Sequence, residues 1–236
     1  MRNSPSNDLV LVTGASSGIG FHLARLFAEN GSDLILSASH RGRLGAAASA
    51  IRQQVPNARI DLVVADLARP EGARQLYEAA AAFMRPIHTL VSNAGVGIQG
   101  RFVSDTDLQA ELAMIQLNAV APVVLSKLAA RDMTARGAGR ILLTAAAAEP
   151  SPAAVYVATK AFLRRFAAAL RDELAGSGVQ VTTLLPAATD TDWFRRAGSH
   201  AAVGLLADPA EIARDAYSGM MAGMTEVAAP AGATDG

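Results

Sequence analysis

Tyr156 and Lys160 stand four residues apart in AVYVATKAFLRRFAAAL, inside a stretch patterned as a helix from about residue 153 to 175. That spacing puts both side chains on one helical face, one above the other. An ammonium held beside a phenol favours the phenolate, so the pairing predicts a tyrosine pKa lowered from about 10 toward working pH. Such a pair can give a proton to a carbonyl oxygen or take one from an alcohol. Ala145 to Ala148, four consecutive alanines, occupy the stretch where a further catalytic hydroxyl would be sought.

The elements that must hold this pair alternate along the chain. Apolar runs at Leu9–Thr13, Asp33–Ala38, Arg59–Ala65, His88–Ser92, Arg140–Thr144 and Val179–Leu185 read as strands, with a last one at Thr225–Ala229. Most are continuously apolar, as strands covered on both faces are. Helical patterns fill 18–30, 41–55, 70–85, 105–136 and 153–175, and Pro122 predicts a break or kink between Asn118 and Pro122. Alternating strand and helix implies a parallel, doubly wound α/β sheet in a single domain, residues 1–236. The tail from about Ala228 reads as frayed.

Composition removes several function classes. The 236 residues carry zero formal net charge and no long basic run, which argues against a nucleic-acid partner. The absence of cysteine excludes disulfides, thiolate metal sites and a cysteine nucleophile. His22 and His88 have no metal-ligand spacing, so no metal is expected. The first ten residues lack a signal-peptide core, and no apolar run approaches a membrane span, so a cytoplasmic protein without a membrane partner is the expectation.

After the first strand comes Thr13-Gly14-Ala15-Ser16-Ser17-Gly18-Ile19-Gly20, followed by an amphipathic helix. Glycines in this setting let the backbone turn sharply and approach a pyrophosphate resting on helix N-terminal amides. An ordinary strand-to-helix turn is the plainer alternative, and the strand before, the helix after and the α/β alternation favour the dinucleotide. With Tyr156 and Lys160 added, the chain resembles the short-chain dehydrogenase/reductase family over nearly its whole length.

The resemblance implies a Rossmann-type fold and assigns roles by position. Gly14, Ser16, Ser17, Gly18, Ile19 and Gly20 would form the cofactor turn. Asp66-Leu67 would meet the adenine, and Asn93-Ala94-Gly95 would pack beside the ribose. Pro186 and Thr189 would lie at the nicotinamide, where Ala187 departs from the family's Pro-Gly. Tyr156 would be the acid/base; Lys160 would tune it and hold the nicotinamide ribose. Asn118 would anchor a relay water. Taken alone, Asp66 is equally a helix N-cap, Asn93 a turn residue and Asn118 a cap. The end of the second strand reads Ser37-Ala38-Ser39-His40-Arg41-Gly42-Arg43. Ser39 stands where NAD-type members carry Asp, and Arg41 or Arg43 can neutralise a 2′-phosphate, so NADP(H) is expected ahead of NAD(H).

The family's catalytic serine falls on Ala146, with Ala145 as the alternative register. Thr144 and Ser151 are the hydroxyls nearest by. The expected activity is an NADP-dependent oxidoreductase interconverting a carbonyl and an alcohol, impaired by the missing serine. Two others stay open: a catalytically weak or inactive nucleotide-binding relative acting as a sensor or assembly partner, and an isomerase or dehydratase using the same tyrosine. A substrate lid is expected at about 190–206, after the sixth strand. Trp193 and Phe194 there, with Val96, Ile98 and Phe102, suggest a small apolar carbonyl or alcohol substrate, though Trp193 equally reads as a lid anchor. Family resemblance implies a homodimer or homotetramer.

Overall fold

Strand residues of alternating orientation are buried throughout the centre of the sheet, which fixes the layering. The computed structural model describes residues 8–147, 152–187, 189 and 206–229. In chain order these form β1 (Leu9–Thr13), α1 (Gly18–Glu29), β2 (Asp33–Ala38), α2 (Arg41–Gln54), β3 (Ile60–Val64), α3 (Gly72–Ala81) and β4 (Ile87–Ser92). There follow α4 (Leu108–Ile115), a π turn (Gln116–Val120), α5 (Ala121–Arg136), β5 (Gly139–Thr144), α6 (Ala154–Glu173), β6 (Val179–Pro186), α7 (Pro209–Met221) and β7 (Glu226–Ala229). The strands make one sheet in the order β3-β2-β1-β4-β5-β6-β7, parallel throughout. This is the Rossmann-type α/β fold.

Val10 and Val12 point into a core shared with Leu23 and Phe27 of α1, Leu44 and Ile51 of α2, and Ile212 and Met220 of α7. Leu9 and Leu11 point the other way, against Leu76 of α3, Leu125 and Met133 of α5, and Ala167 of α6. Each such fully buried leucine or isoleucine contributes roughly 1.5–3 kcal/mol against leaving it exposed. Strand order reverses between β1 and β4, and in open sheets of this kind the crevice beyond the strands' carboxyl ends at that switch is where ligands bind.

Strand ends match the sequence reading to within a residue, while the helices are trimmed. The segment expected at 70–85 is helical over Gly72–Ala81. The one expected from 105 starts at Leu108, because the Asp107 carboxylate caps it by accepting from Ala110 N (2.9 Å). Pro122 does not break that helix. The chain widens by one residue over Gln116–Val120, Ala121 N donating to Gln116 O five residues back, and Pro122 falls in the first turn of α5 where its missing N–H does no harm. Contrary to the sequence expectation, Leu108–Arg136 is long and apolar enough by composition to cross a membrane, with a window of mean hydropathy 1.6. Its inner residues Leu125, Ala129 and Met133 are buried in the core against the sheet.

Candidate active site

Gly14 and Gly18 sit at φ +67° and +57°, a region that penalises residues with a Cβ. A Cβ on Gly14 would lie 2.9 Å from Ala94 Cα, and one on Gly20 would lie 2.5 Å from Asn93 Nδ2. The glycine turn and the Asn93–Gly95 segment are therefore packed back to back. Thr13 ties them: its hydroxyl donates to Val91 O (3.3 Å) and accepts from Asn93 N (3.0 Å) and Ala94 N (3.1 Å). Asn93 Nδ2 answers by donating to Thr13 O (3.3 Å), and Ala15 N donates to Ser37 O (3.1 Å) on β2. Thr13 was not singled out from the sequence, though its place before Gly14 was the available signal.

At the head of α1, Ser17 is the N-cap yet its side chain makes no capping bond. His40, Asp107 and Asp208 do cap α2, α4 and α7. The first-turn amides of α1, at the positive end of a 12-residue helix, thus meet the crevice without a side-chain acceptor, in a cradle that only glycine can line. These residues fit a dinucleotide's pyrophosphate. Ser16 and Ser17 are half-buried at the turn, while the Ile19 side chain is buried in the core and leaves its main chain to the turn.

Ser39, His40, Arg41 and Arg43 follow β2 and are all exposed. The His40 ring caps α2 by accepting from Arg43 N (3.3 Å) at Nδ1. Asp66 is exposed and its Oδ1 accepts from Ala68 N (3.0 Å). It closes a local turn and is not the N-cap of α3, a position held by Glu71. Leu67 is buried beneath it.

Tyr156 and Lys160 emerge from the first two turns of α6, both buried, with Lys160 Nζ 5.8 Å from the Tyr156 ring centroid. Lys160 Nζ donates to Thr144 O (2.9 Å), the last residue of β5. Asn118, carried inward by the π turn, is 1 % exposed. Its Oδ1 accepts from Val96 N (3.0 Å), and its Nδ2 donates to Val96 O (2.7 Å) and Thr159 Oγ1 (3.2 Å). Thr159 in turn donates to Tyr156 O (2.7 Å). Both polar atoms of the Asn118 side chain are thus engaged by protein. Thr159, one residue before Lys160, links Asn118 to the tyrosine's helix, and sequence reasoning missed it. Gly95 completes the cluster, since a Cβ there would lie 3.2 Å from Asn118 Oδ1 and 3.4 Å from Lys160 Nζ.

The electrostatics depart from the expectation of a lowered tyrosine. Burial raises Tyr156 to about 12 and lowers Lys160 to about 8. Desolvation outweighs the neighbouring charge, because it disfavours the ionised form of both groups and the ammonium is directed at the Thr144 carbonyl.

Of the two hydroxyls near the missing one, only Thr144 is described. Thr144 Oγ1 donates to Asn93 Oδ1 (3.4 Å), on the side of the glycine turn, and Ser151 lies outside the described residues. Ala145 is buried against Leu163 and Leu185, while Ala146 is half-buried. One wall of the site is apolar: Val96, Ile98 and Val155 pack with Met114 and Tyr156. Pro186 ends β6, and Thr189 donates from Oγ1 to Ala187 O (2.7 Å) and pairs with Ala207. The lid at 190–206, with Trp193 and Phe194, lies outside the described residues but for its last residue, Leu206.

A parallel sheet with a glycine-lined, uncapped helix at its switch point defines a dinucleotide-binding α/β protein. Residues 8–202 match the family model for short chain dehydrogenases, and the chain belongs to the short-chain dehydrogenase/reductase family of oxidoreductases. It is 33 % identical over 206 residues to sulfoacetaldehyde reductase 2 of Chromohalobacter salexigens, covering 85 % of this chain and 81 % of that one. Among solved structures, a short-chain dehydrogenase from Sphingobium yanoikuyae in complex with NADPH superposes with a TM-score of 0.88 at 32 % identity, covering 94 % and 88 % of the two chains. A bulky-bulky ketone specific alcohol dehydrogenase from Comamonas testosteroni gives 0.83 at 28 % identity, covering 98 % and 89 %.

Proposed function

We propose that this chain is an NADP(H)-dependent oxidoreductase that interconverts a small apolar carbonyl compound and its alcohol. The observation that carries this reading is the cluster of buried Tyr156, Lys160 and Asn118 with half-buried Gly95 at the strands' carboxyl ends, beside an uncapped helix terminus. NADPH, when bound, supplies the hydride. In the reducing direction the carbonyl carbon gains that hydride and the oxygen takes the Tyr156 phenolic proton, so one C=O π bond becomes a C–H and an O–H bond.

Tyr156, raised to about 12, stays protonated at ordinary pH and holds the proton that reduction requires. Lys160, at about 8, titrates in the range where a proton can be taken up and passed on. Asn118 and Thr159 hold the π turn against α6 and so fix the tyrosine's helix. Val96, Ile98, Met114 and Val155 favour an apolar substrate and keep water away. NADP(H) is preferred because Arg41 and Arg43 are exposed and unopposed by acid beside Ser39, and the NADPH complex of the Sphingobium relative agrees.

Ala146 favours a second reading, a nucleotide binder with little turnover. The two are separated by mixing the protein with NADPH or NADH and a panel of apolar ketones and aldehydes, and following the absorbance of the reduced nicotinamide. Consumption of NADPH dependent on a carbonyl supports the first. Tight NADPH binding with no turnover on any member supports the second.

A further inference from the structure

The residue that lacks the hydroxyl retains another donor. Beyond β5 the chain stays extended against β6: Ala145 N donates to Leu184 O (2.9 Å) and Ala147 N donates to Pro186 O (3.1 Å). In an extended strand successive N–H groups leave opposite edges, so the N–H of Ala146 points away from β6, toward β4. The Thr144 carbonyl lies on that same edge, and it is the atom that receives Lys160 Nζ at 2.9 Å. The N–H of Ala146 and the lysine ammonium therefore face one space.

On that edge no strand waits to accept the N–H. β4 ends at Ser92, and the chain turns through Asn93, Ala94 and Gly95, with Gly95 set against Lys160 Nζ and Asn118 Oδ1. Among the described residues the Ala146 N–H has no acceptor. Ala146 itself is half-buried, so its amide is open to an acceptor that enters from the crevice. The methyl side chain leaves the approach open.

Resting on the oxidoreductase reading above, we propose that the main-chain N–H of Ala146 takes the place of the absent hydroxyl and donates to the substrate oxygen beside Tyr156. The developing negative charge on that oxygen then meets two donors, the phenol that transfers its proton and an amide that does not. The two flanking bonds to β6 fix the amide in advance, which is what an oxyanion donor requires.

The test removes the N–H alone. Ala146→Pro does so where the preceding residue is already extended. Because proline can strain the strand, a second variant replaces Ala146 by lactic acid, whose ester oxygen keeps the shape without the proton. Both are expected to lower kcat by about 10²–10³-fold while the NADPH Kd stays within about twofold. The Kd of the product alcohol in the NADP⁺ complex is expected to rise about tenfold. An ester variant with wild-type kcat overturns the proposal. So does a loss of NADPH affinity without loss of kcat, which would assign the amide to the cofactor. Failure of the wild-type protein to reduce any carbonyl would instead sink the oxidoreductase reading on which this rests.

Discussion

Replacing Lys160 by methionine is expected to stabilise the protein while abolishing its chemistry. The ammonium is buried and its pKa falls from 10.5 to about 8. Between those values the folded state binds fewer protons than the unfolded chain, so stability rises with pH across that window. Below pH 8 both states are protonated and the full penalty of burying the charge is present. At 1.36 kcal/mol per unit, the drop amounts to about 3 kcal/mol at pH 7. Against this, methionine leaves the Thr144 carbonyl without its donor, at a cost of about 1–2 kcal/mol. The net expectation for Lys160→Met is a gain of about 1–2 kcal/mol at pH 7 that shrinks as pH rises toward 10, and reverses once the wild-type lysine is neutral. Urea unfolding of both proteins at several pH values between 7 and 10 measures the difference directly. The subtraction cancels Tyr156, whose raised pKa lowers stability only above pH 10. A difference that stays flat with pH, or grows, would refute the assignment of a desolvated lysine.

Tyr156→Phe should abolish turnover while NADPH fluorescence titration gives a Kd within about twofold of wild type; near-normal rates would remove the tyrosine from the chemistry. Gly14→Ala should weaken NADPH binding at least about tenfold and destabilise the fold by roughly 1–3 kcal/mol, read by cofactor titration and thermal unfolding. Its Cβ would enter left-handed backbone 2.9 Å from Ala94 Cα. Arg41→Ala should raise the NADPH Kd about three- to tenfold and leave that of NADH unchanged; equal effects on both would remove Arg41 from the 2′-phosphate.

The strands were legible because their residues are apolar on both faces. Leu9 to Val12 are all buried, and a run of that kind bounded by turn residues has few other readings. Pairing order was beyond reach: β1 lies between β2 and β4, and the contacts that decide this span tens of residues. The Pro122 region was read as a break because proline cannot continue an α-helical ladder. Widening the turn by one residue removes the conflict at lower cost than breaking a helix anchored by Leu125 and Met133. The same extra residue is what sets Asn118 inward, so the detail that sequence pattern missed is the one that builds the site.

The site divides along a similar line. Spacing and order singled out Tyr156, Lys160, Asn118 and Gly95, and these four lie together in the structure. How they behave could not be read that way, because four-residue spacing fixes proximity and says nothing of dielectric. The spacing argument predicted an acidified tyrosine; burial makes it a weaker acid and the lysine a readier one. Side-chain identity misleads in another way at Ala146. Reading side chains alone records a missing hydroxyl, yet the backbone carries a donor at every residue but proline. Whether that donor is free depends on where the neighbouring strand stops. β6 runs past the end of β5 and takes the amides of Ala145 and Ala147, whereas β4 stops at Ser92. The unequal lengths of two strands thus leave one amide of β5's extension facing the site, and no motif in the sequence encodes that difference.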